Sequence, residues 1–228
     1  MSYEAVMEDC HQILKNLGRT RESLQILAVS KLQALSKIRG LYEAGHRLFG
    51  ENYVQEALTK QETLKDLDIE WHMIGTLQKN KVKMVVGKFA LIHSVDTIEL
   101  VRAISSHAQK IKTTQKILLQ VNLAHEATKS GFDRNNLMHQ WSDIVDLPGV
   151  EVTGLMTMPP LTEDPEDVRS YFRELKGLQT ELLKHGAGRH SLHELSMGTS
   201  HDYHVAIEEG ATIVRLGTIL FGERPRKN

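Results

Sequence analysis

The sequence predicts an α/β protein, a single (β/α)8 TIM-type barrel with one extra helix at its N-terminus. Short apolar segments alternate with longer segments whose apolar residues recur at helical spacing, and eight such units fit into about 200 residues. Most of the short segments are apolar on both faces, as in a parallel sheet that helices cover. An open doubly wound sheet is the alternative, but it ordinarily contains fewer strands. We therefore expect residues 1–228 to form one barrel domain.

The N-terminal segment is predicted to form the extra helix. Val6, Cys10 and Leu14 recur at helical spacing, and Gly18 is a stop signal. Because this helix precedes the first strand, we expect it to cover the N-terminal end or the side of the barrel.

The predicted strands are short apolar segments separated by polar or glycine-containing stretches. In chain order they occupy residues 26–30, 46–50, 70–75, 90–95, 116–123, 150–158, 193–198 and 212–217. Helices are predicted between them from periodic apolar residues and from start and stop signals. In order these are a helix after Ser36 ending at Gly45, residues 53–65, a lysine-rich helix through Val86, residues 97–111, a helix capped by Asp133, a helix opened by Asp164 and Pro165 that ends near Lys184, and one ending at Gly210.

The composition is that of an ordinary globular protein and excludes several classes. Of 228 residues, 40% are hydrophobic and 25% are charged, with a formal net charge of −1, so no nucleic-acid partner is expected. The single Cys10 excludes an internal disulfide and a cysteine-rich zinc site. No apolar run approaches the ~18 residues of a membrane span, and the acidic start MSYEAVMEDC does not resemble a leader peptide. We expect a cytoplasmic protein without membrane contact.

Chemistry in such a barrel collects where the strands end at their carboxyl side. The predicted ends carry Ser30 and Lys31, Gly50 to Asn52, His72 to Gly75, Ser94 to Asp96, Asn122, Met156 and Met158, Ser196 to Gly198, and Arg215 to Thr218. These positions contain no cluster of carboxylates, which argues against metal-assisted or acid/base hydrolysis. What remains is a lysine after an apolar strand and two loops rich in Gly, Ser and Thr.

Lys31 directly follows the apolar strand ILAVS. A lysine in this place either points into water or forms a Schiff base with an aldehyde, since partial burial at a barrel mouth lowers the pKa of an ammonium and frees the amine. Position alone leaves both interpretations open.

The segments SMGTS (196–200) and RLGTILFG (215–222) follow the last two predicted strands, where this fold usually binds phosphate. Glycine lets the backbone approach an anion, and Ser200 and Thr218 add hydroxyl donors. The alternative is a pair of ordinary tight turns. A lysine combined with a phosphate site favours pyridoxal 5′-phosphate, which needs both.

Seven segments of the chain resemble the signature motifs of one family. They are AVSK (28–31), FGENYVQEA (49–57), WHMIGTLQKNK (71–81), KSGF (129–132), GLMTM (154–158), SMGTSHDY (196–203) and VRLGTILFG (214–222). In this order they resemble the pyridoxal phosphate homeostasis proteins, the YggS/PROSC family, over nearly the whole chain. The resemblance implies a barrel similar to the N-terminal domain of alanine racemase. One departure is Thr199, where the family often has Met, which puts the packing beside the phosphate in question.

The resemblance also implies which residues bind the cofactor. They are Lys31, Asn52, Ser200, Arg215, Gly217 and Thr218. Lys31 would form the internal aldimine and Asn52 would lie beside the ring, although Asn52 could also cap the following helix. Arg215 would face the pyridine nitrogen and, because a guanidinium only donates, would keep that nitrogen unprotonated; a salt bridge across the barrel mouth is its alternative.

Three other features are interpreted as structural. Metal binding by the histidines near the C-terminus would need convergent geometry and usually helper carboxylates, so no metal is expected. Ser200, His201 and Asp202 are sequence neighbours and cannot assemble a catalytic triad. Lys129 follows the fifth predicted strand and could compete for the aldehyde, but solvent exposure is favoured.

The predicted function is that of a carrier that holds pyridoxal 5′-phosphate reversibly on Lys31 and takes part in its delivery, with transient contact with apoenzymes that use this cofactor. The alternative is a racemase or decarboxylase. Such enzymes need a second domain, and only six residues follow Gly222, so we expect no enzymatic activity and a monomer. A phosphosugar-binding barrel would leave Lys31 unexplained.

Overall fold

Eight parallel strands form a closed barrel in chain order, with β8 pairing back onto β1. The computed structural model describes residues 2–124, 126 and 130–222. The strands are β1 Gln25–Val29, β2 Leu48–Glu51, β3 Glu70–Met73, β4 Leu91–Val95, β5 Gln115–Val121, β6 Val150–Thr157, β7 Glu194–Thr199 and β8 Ile213–Leu216. The predicted (β/α)8 barrel is confirmed, and the open sheet is excluded because no gap separates β1 from β8.

The helices lie outside the barrel. In the described part of the chain they are α1 Tyr3–Asn16, α2 Leu35–Glu43, α3 Val54–Thr63, α4 Val82–Val85, α5 Ile98–Lys110, α6 Arg134–Val145, α7 Arg169–Lys184, α8 Tyr203–Glu208 and α9 Thr218–Phe221. Short 3-10 turns occupy Arg21–Ser23, Lys79–Lys81 and Pro165–Val168. Within these described residues, no helix combines the length and the apolar character needed to cross a membrane.

The extra helix α1 covers the side of the barrel next to α8. Val6, Cys10 and Leu14 are buried, as their spacing predicts. The Tyr203 hydroxyl of α8 donates a hydrogen bond of 2.6 Å to Asp9 of α1. Burial and this hydrogen bond raise the pKa of Tyr203 and keep its phenol protonated. The contact fixes the position of α8, which begins beside the loop after β7.

The strand register brings the first and last strands together at the site. Val29 of β1 is opposite Gly50 of β2, and Ala28 of β1 is opposite Leu216 of β8. The turn that follows β1 therefore lies between the ends of β2 and β8. Residues far apart in sequence meet here because the barrel closes.

Two apolar layers hold the barrel. The larger one fills the space between strands and helices, as expected for strands apolar on both faces. A smaller cluster fills part of the barrel interior, and it contains Leu27, Ile74, Leu91, Leu118, Met156 and Ile213. The interior is thus packed rather than open, and the mouth above it is the place left for a ligand.

Most differences from the predicted elements concern their ends. Asp133 and Asp164 accept hydrogen bonds from backbone N–H groups of the following turns, so both predicted N-caps are confirmed. The helix predicted after Ser36 begins at Leu35, following extended backbone at Ala34. The lysine-rich helix is only a 3-10 turn followed by α4, because the chain becomes extended at Val86.

Two further differences bear on the site. The second strand was predicted at 46–50, but β2 runs one residue further and places Glu51 in the sheet. Helix α9, directly after β8, was not predicted because four residues are too few to show a helical spacing of apolar residues.

Candidate functional site

One pocket opens at the carboxyl end of the barrel, and it brings together all the predicted cofactor-binding residues. Its volume is about 420 Å³, within the range of small-molecule sites. The lining includes the predicted Lys31, Asn52, Ser200, Arg215, Gly217 and Thr218. Val29, Ile74, Met156, Met158, Thr199 and His201 complete it. The pocket therefore combines apolar side chains with a lysine, an arginine, a histidine and three hydroxyl groups.

Lys31 lies in a tight turn directly after β1. The N–H of Gln33 donates to the carbonyl of Ser30 across 3.0 Å and closes the turn. Leu32 takes a left-handed conformation, with φ of 59°, which is strained for a side chain of this kind. The half-buried Lys31 thus projects from a backbone that its surroundings must hold in place.

A buried ionic network holds this turn, and the sequence analysis missed it. Lys60 Nζ donates to Glu51 Oε1 at 2.7 Å, to Glu56 Oε1 at 2.6 Å and to the Ser30 carbonyl at 2.6 Å. Glu56 Oε1 also accepts from the N–H of Leu32 at 2.6 Å. The network therefore grips the backbone on both sides of the lysine.

Glu51 is the acceptor at the centre of this network. Its side chain is fully buried, which raises the pKa of the carboxyl, while hydrogen bonds from Lys60 and from the Ser30 hydroxyl at 2.6 Å lower it. A buried carboxylate without such donors would be costly. Lys60 and Glu56 stand one turn apart in α3, which in a sequence resembles an ordinary surface pair.

Asn52 reaches the pocket from the end of β2. Its backbone lies so close to Gly75 that a Cβ on that glycine would be 2.1 Å from the Asn52 carbonyl oxygen, so only glycine fits there. The Asn52 Oδ1 atom is buried and has no hydrogen-bond partner. Helix α3 begins after Tyr53 without a side-chain cap, so the alternative of a capping role for Asn52 is not supported.

Arg215 lies at the bottom of the pocket on β8. It is 5% exposed, and its guanidinium donates to the Ser196 carbonyl at 2.7 Å, the Ser196 hydroxyl at 2.8 Å and the Thr157 carbonyl at 2.9 Å. Burial lowers its pKa to about 10, so it stays protonated at neutral pH. All three acceptors are neutral groups. These hydrogen bonds are therefore not the salt bridge across the barrel mouth that was the alternative role for Arg215.

Ser200 and the start of α9 form the opposite wall of the pocket. Ser200 Oγ accepts from the N–H of Gly217 at 3.0 Å and from the N–H of Ile219 at 3.5 Å. Since a hydroxyl that accepts keeps its own proton, Ser200 can donate to an anion in the pocket. Thr218 is exposed beside it and offers a second hydroxyl.

The loop that carries Ser200 has a fixed shape. Gly198 has φ of +91°, and a Cβ there would be 2.5 Å from the Cβ of Ala206. Thr199, the departure from the family motif, uses its hydroxyl and its N–H to donate to Asp202 at 2.8 Å and 2.6 Å. The threonine thus stabilises the loop by a local hydrogen-bonded turn.

These residues fit pyridoxal 5′-phosphate in charge and in donor set. The Asn52 Oδ1 atom has no hydrogen-bond partner, so a polar group of a ligand can bond the Asn52 side chain there. Because the amide can be flipped, Asn52 can present either its oxygen or its nitrogen to that group. Lys31 and Arg215 supply positive charge, and the Ser200 wall supplies donors. Lys129, the competing lysine, lies outside the described residues.

Comparison with known proteins agrees with the fold. The family of alanine racemase N-terminal domains matches residues 9–225, so the chain is a barrel of this class. A pyridoxal phosphate homeostasis protein of Aquifex aeolicus is 48% identical over 219 residues, which are 96% of this chain and 95% of the relative. One from Synechocystis is 42% identical over 203 residues, 89% of this chain and 92% of the relative. This chain belongs to the family of pyridoxal phosphate homeostasis proteins.

Solved structures give the same result. PipY of Synechococcus elongatus is 38% identical and has been solved without and with PLP, that is, pyridoxal 5′-phosphate. The TM-scores are 0.85 without and 0.83 with the bound compound. In both comparisons 93% of this chain is covered, with 99% and 100% of the PipY chain.

Proposed function

We propose that the protein binds pyridoxal 5′-phosphate as a reversible Schiff base on Lys31 and takes part in the intracellular supply of this cofactor. The observation that carries the proposal is the meeting of Lys31, Arg215 and the Ser200 wall in one pocket of about 420 Å³. The relatives named for pyridoxal phosphate homeostasis, and PipY with PLP bound, support it.

The covalent attachment needs only the lysine and water. The Lys31 amine attacks the aldehyde carbon, a C=N bond forms, and the carbonyl oxygen leaves as water. Water reverses the step and releases the aldehyde. The turn around Lys31 matters because the amine must meet the aldehyde repeatedly in one orientation.

The other residues bind the two ends of the cofactor. The hydroxyls of Ser200 and Thr218, beside Gly217, would bind the phosphate, and Arg215 would face the pyridine nitrogen with its N–H groups. Asn52 would lie beside the ring. Because a guanidinium cannot accept a proton, this arrangement keeps the ring nitrogen unprotonated.

Several observations favour a carrier over an enzyme. Among the described residues that line the pocket, none is a carboxylate, and the titratable side chains are those of Lys31, His201 and Arg215. An unprotonated ring nitrogen also withdraws electron density from a bound amino acid less strongly than a protonated one does. We propose that the protein acts as a monomer in the cytoplasm and passes its cofactor to apoenzymes by transient contact.

The test is a covalent trap. After addition of pyridoxal 5′-phosphate, the protein is expected to absorb at the violet edge of the visible range, and borohydride should fix the compound on the peptide that contains Lys31. Lys31→Ala should lose the adduct, while Lys83→Ala, an exposed lysine on α4, and Lys129→Ala should keep it. An equal yield of adduct in Lys31→Ala would refute the assignment.

A further inference from the structure

A row of polar side chains crosses the interior of the barrel beneath the pocket. Arg215 Nη1 lies 2.8 Å from Ser196 Oγ, which lies 2.9 Å from His93 Nδ1. His93 Nε2 lies 2.9 Å from His72 Nδ1, and His72 Nε2 lies 3.0 Å from Glu70 Oε1. The row runs from the mouth of the barrel to its opposite end.

This row lies where an apolar interior is the rule. Layers of Val, Ile and Leu usually fill such barrels. Ser196, His93 and His72 are at most 1% exposed, and β4 and β7 are not neighbours, so the bond between His93 and Ser196 crosses the interior. Glu70, at the start of β3, is the solvent-exposed end. Polar groups buried at this depth need partners, and each of them has one.

With one proton on each histidine, the two ends of the row set the direction of every hydrogen bond in it. A guanidinium only donates, so Ser196 Oγ accepts from Arg215 and gives its own proton to His93 Nδ1. His93 then carries its proton on Nε2 and donates to His72 Nδ1. His72 in turn donates from Nε2 to the carboxylate of Glu70, which only accepts. In this arrangement all the bonds point the same way, and each histidine carries a single proton, on Nε2.

The surroundings agree with these proton positions. Burial, together with His72 and Arg215, holds the pKa of His93 well below its usual range, so the ring is neutral. The hydrogen bond from His72, and the nearby Lys116, lower the pKa of Glu70 and keep it ionised. An ionised carboxylate at one end and a cation at the other polarise every bond between them.

We propose that Ser196, His93, His72 and Glu70 are positioning residues of the cofactor site, which act through Arg215. The Ser196 hydroxyl is one of three acceptors that orient the guanidinium. If His72 changed its tautomer, two N–H groups would face each other between His72 and His93, and the row would break. Glu70 prevents this, so a carboxylate at the far end of the barrel determines how firmly Arg215 is held. The inference rests on the proposed binding of pyridoxal 5′-phosphate.

The first measurement does not require the cofactor. In 15N-labelled protein, the nitrogen resonances of His72 and His93 distinguish the two neutral tautomers. We expect the Nε2–H form at both, and a proton on Nδ1 of either histidine would overturn the proposal. Addition of pyridoxal 5′-phosphate should then shift the nitrogen resonances of His93, since its neighbour Ser196 bonds Arg215.

The second measurement uses variants at the exposed end, where the fold tolerates change. Glu70→Ala removes the terminal acceptor and is expected to weaken pyridoxal 5′-phosphate binding by about threefold, as a cooperative row loses strength. It should also shift the absorption band of the loaded protein. Glu70→Gln keeps an acceptor oxygen and should recover most of both properties. The control Glu151→Ala removes a carboxylate at the same end of the barrel but outside the row, and should bind like the unchanged protein.

The outcomes separate the two proposals. If the unchanged protein fails to bind the cofactor, the proposed function fails. If it binds, and Glu70→Ala has the same affinity and the same absorption band, only the positioning role fails. Should Glu70→Ala lose stability by thermal melting, the tautomers in the unchanged protein decide the question.

Discussion

At the scale of single residues, two basic side chains characterise the pocket. Lys31 and Arg215 both line it, and no carboxylate does so among the residues that the structure describes. Arg215 remains protonated at neutral pH even though burial lowers its pKa to about 10. A protonated arginine at this position favours a ligand with negative charge, such as a phosphate ester.

The hydroxyls of Ser200 and Thr218 should decide how well the phosphate is held. Charge-assisted hydrogen bonds contribute roughly 1.5–3 kcal/mol each when well formed. Replacing both residues by Ala is expected to lower the affinity for pyridoxal 5′-phosphate by at least about tenfold and to leave the weaker affinity for pyridoxal unchanged. Absorbance titration with the two compounds measures this.

The control for this pair is Thr59→Ala. Its hydroxyl bonds the carbonyl of Gln55 on the exposed face of α3. If the unchanged protein bound both compounds equally well, the loops after β7 and β8 would be turns and not a phosphate site.

Sequence reasoning found the residues of the pocket but not those that support them. Lys31 and Arg215 stand at strand ends, which made them candidates, and the family resemblance implied their roles. Glu51 was among the strand-end positions but received no role, and Lys60 gave no signal, since a charged residue in a helical pattern is usually exposed, yet Lys60 is 5% exposed. His93 was read only as part of an apolar strand, because its partner on β7 is 103 residues away.

At the scale of elements, the turn after β1 depends on helix α3. Lys60 is the donor that this helix contributes, and Lys60→Met leaves Glu51 buried without its cation. Breaking a buried pair in this way costs about 3–5 kcal/mol. We expect this loss of unfolding free energy in urea denaturation, together with weaker binding of pyridoxal 5′-phosphate.

Lys65→Met is the matched control for Lys60→Met. Lys65 pairs with Glu62 at the C-terminal end of α3, and both side chains are largely exposed. The expected loss of unfolding free energy is therefore within about 0.5 kcal/mol. Similar losses in the two variants would mean that the network around Lys31 adds nothing beyond an ordinary surface pair.

Replacing Gly198 and Gly177 by alanine should change the free energy of unfolding in opposite directions. Gly198→Ala in the loop after β7 meets a φ of +91° and a Cβ only 2.5 Å away, so we expect a loss of more than about 1 kcal/mol. Gly177→Ala in the middle of α7 meets no atom within 4 Å, and removing a helical glycine should stabilise by about 0.4–1 kcal/mol. Thermal or urea unfolding of both variants checks the signs.

The elements themselves were largely predictable because their apolar periods are regular. All the predicted strands exist, with ends shifted by one or two residues. The errors fall on short elements, such as α4 and α9, which have too few residues to display a period. Here tertiary contacts determine the structure, and the local sequence does not.

At the scale of the whole molecule, the proposed carrier role makes a prediction about amino-acid chemistry at the barrel mouth. A carrier should move protons on a bound amino acid only slowly. The loaded protein, mixed with alanine, should give no racemisation above free cofactor. Mixed with an apoenzyme that needs pyridoxal 5′-phosphate, it should restore that enzyme's activity.

Both assays should be run on the same protein preparation. The Lys31→Ala protein, which should carry no bound compound, is the control. A racemisation or decarboxylation turnover in the ordinary enzymatic range of about 1–10³ per second would contradict the carrier.

The pairing of β8 with β1 has a consequence for the newly made chain. Lys31 leaves the ribosome long before Arg215 and the Ser200 loop, and the seam between residues 25–28 and 213–216 forms only once nearly all of the barrel exists. Until then the lysine has no pocket, and under the proposed function an unfinished chain should capture aldehyde no better than any other amine. Capture would then report completed folding, and the captured compound would in turn stabilise the seam by mass action.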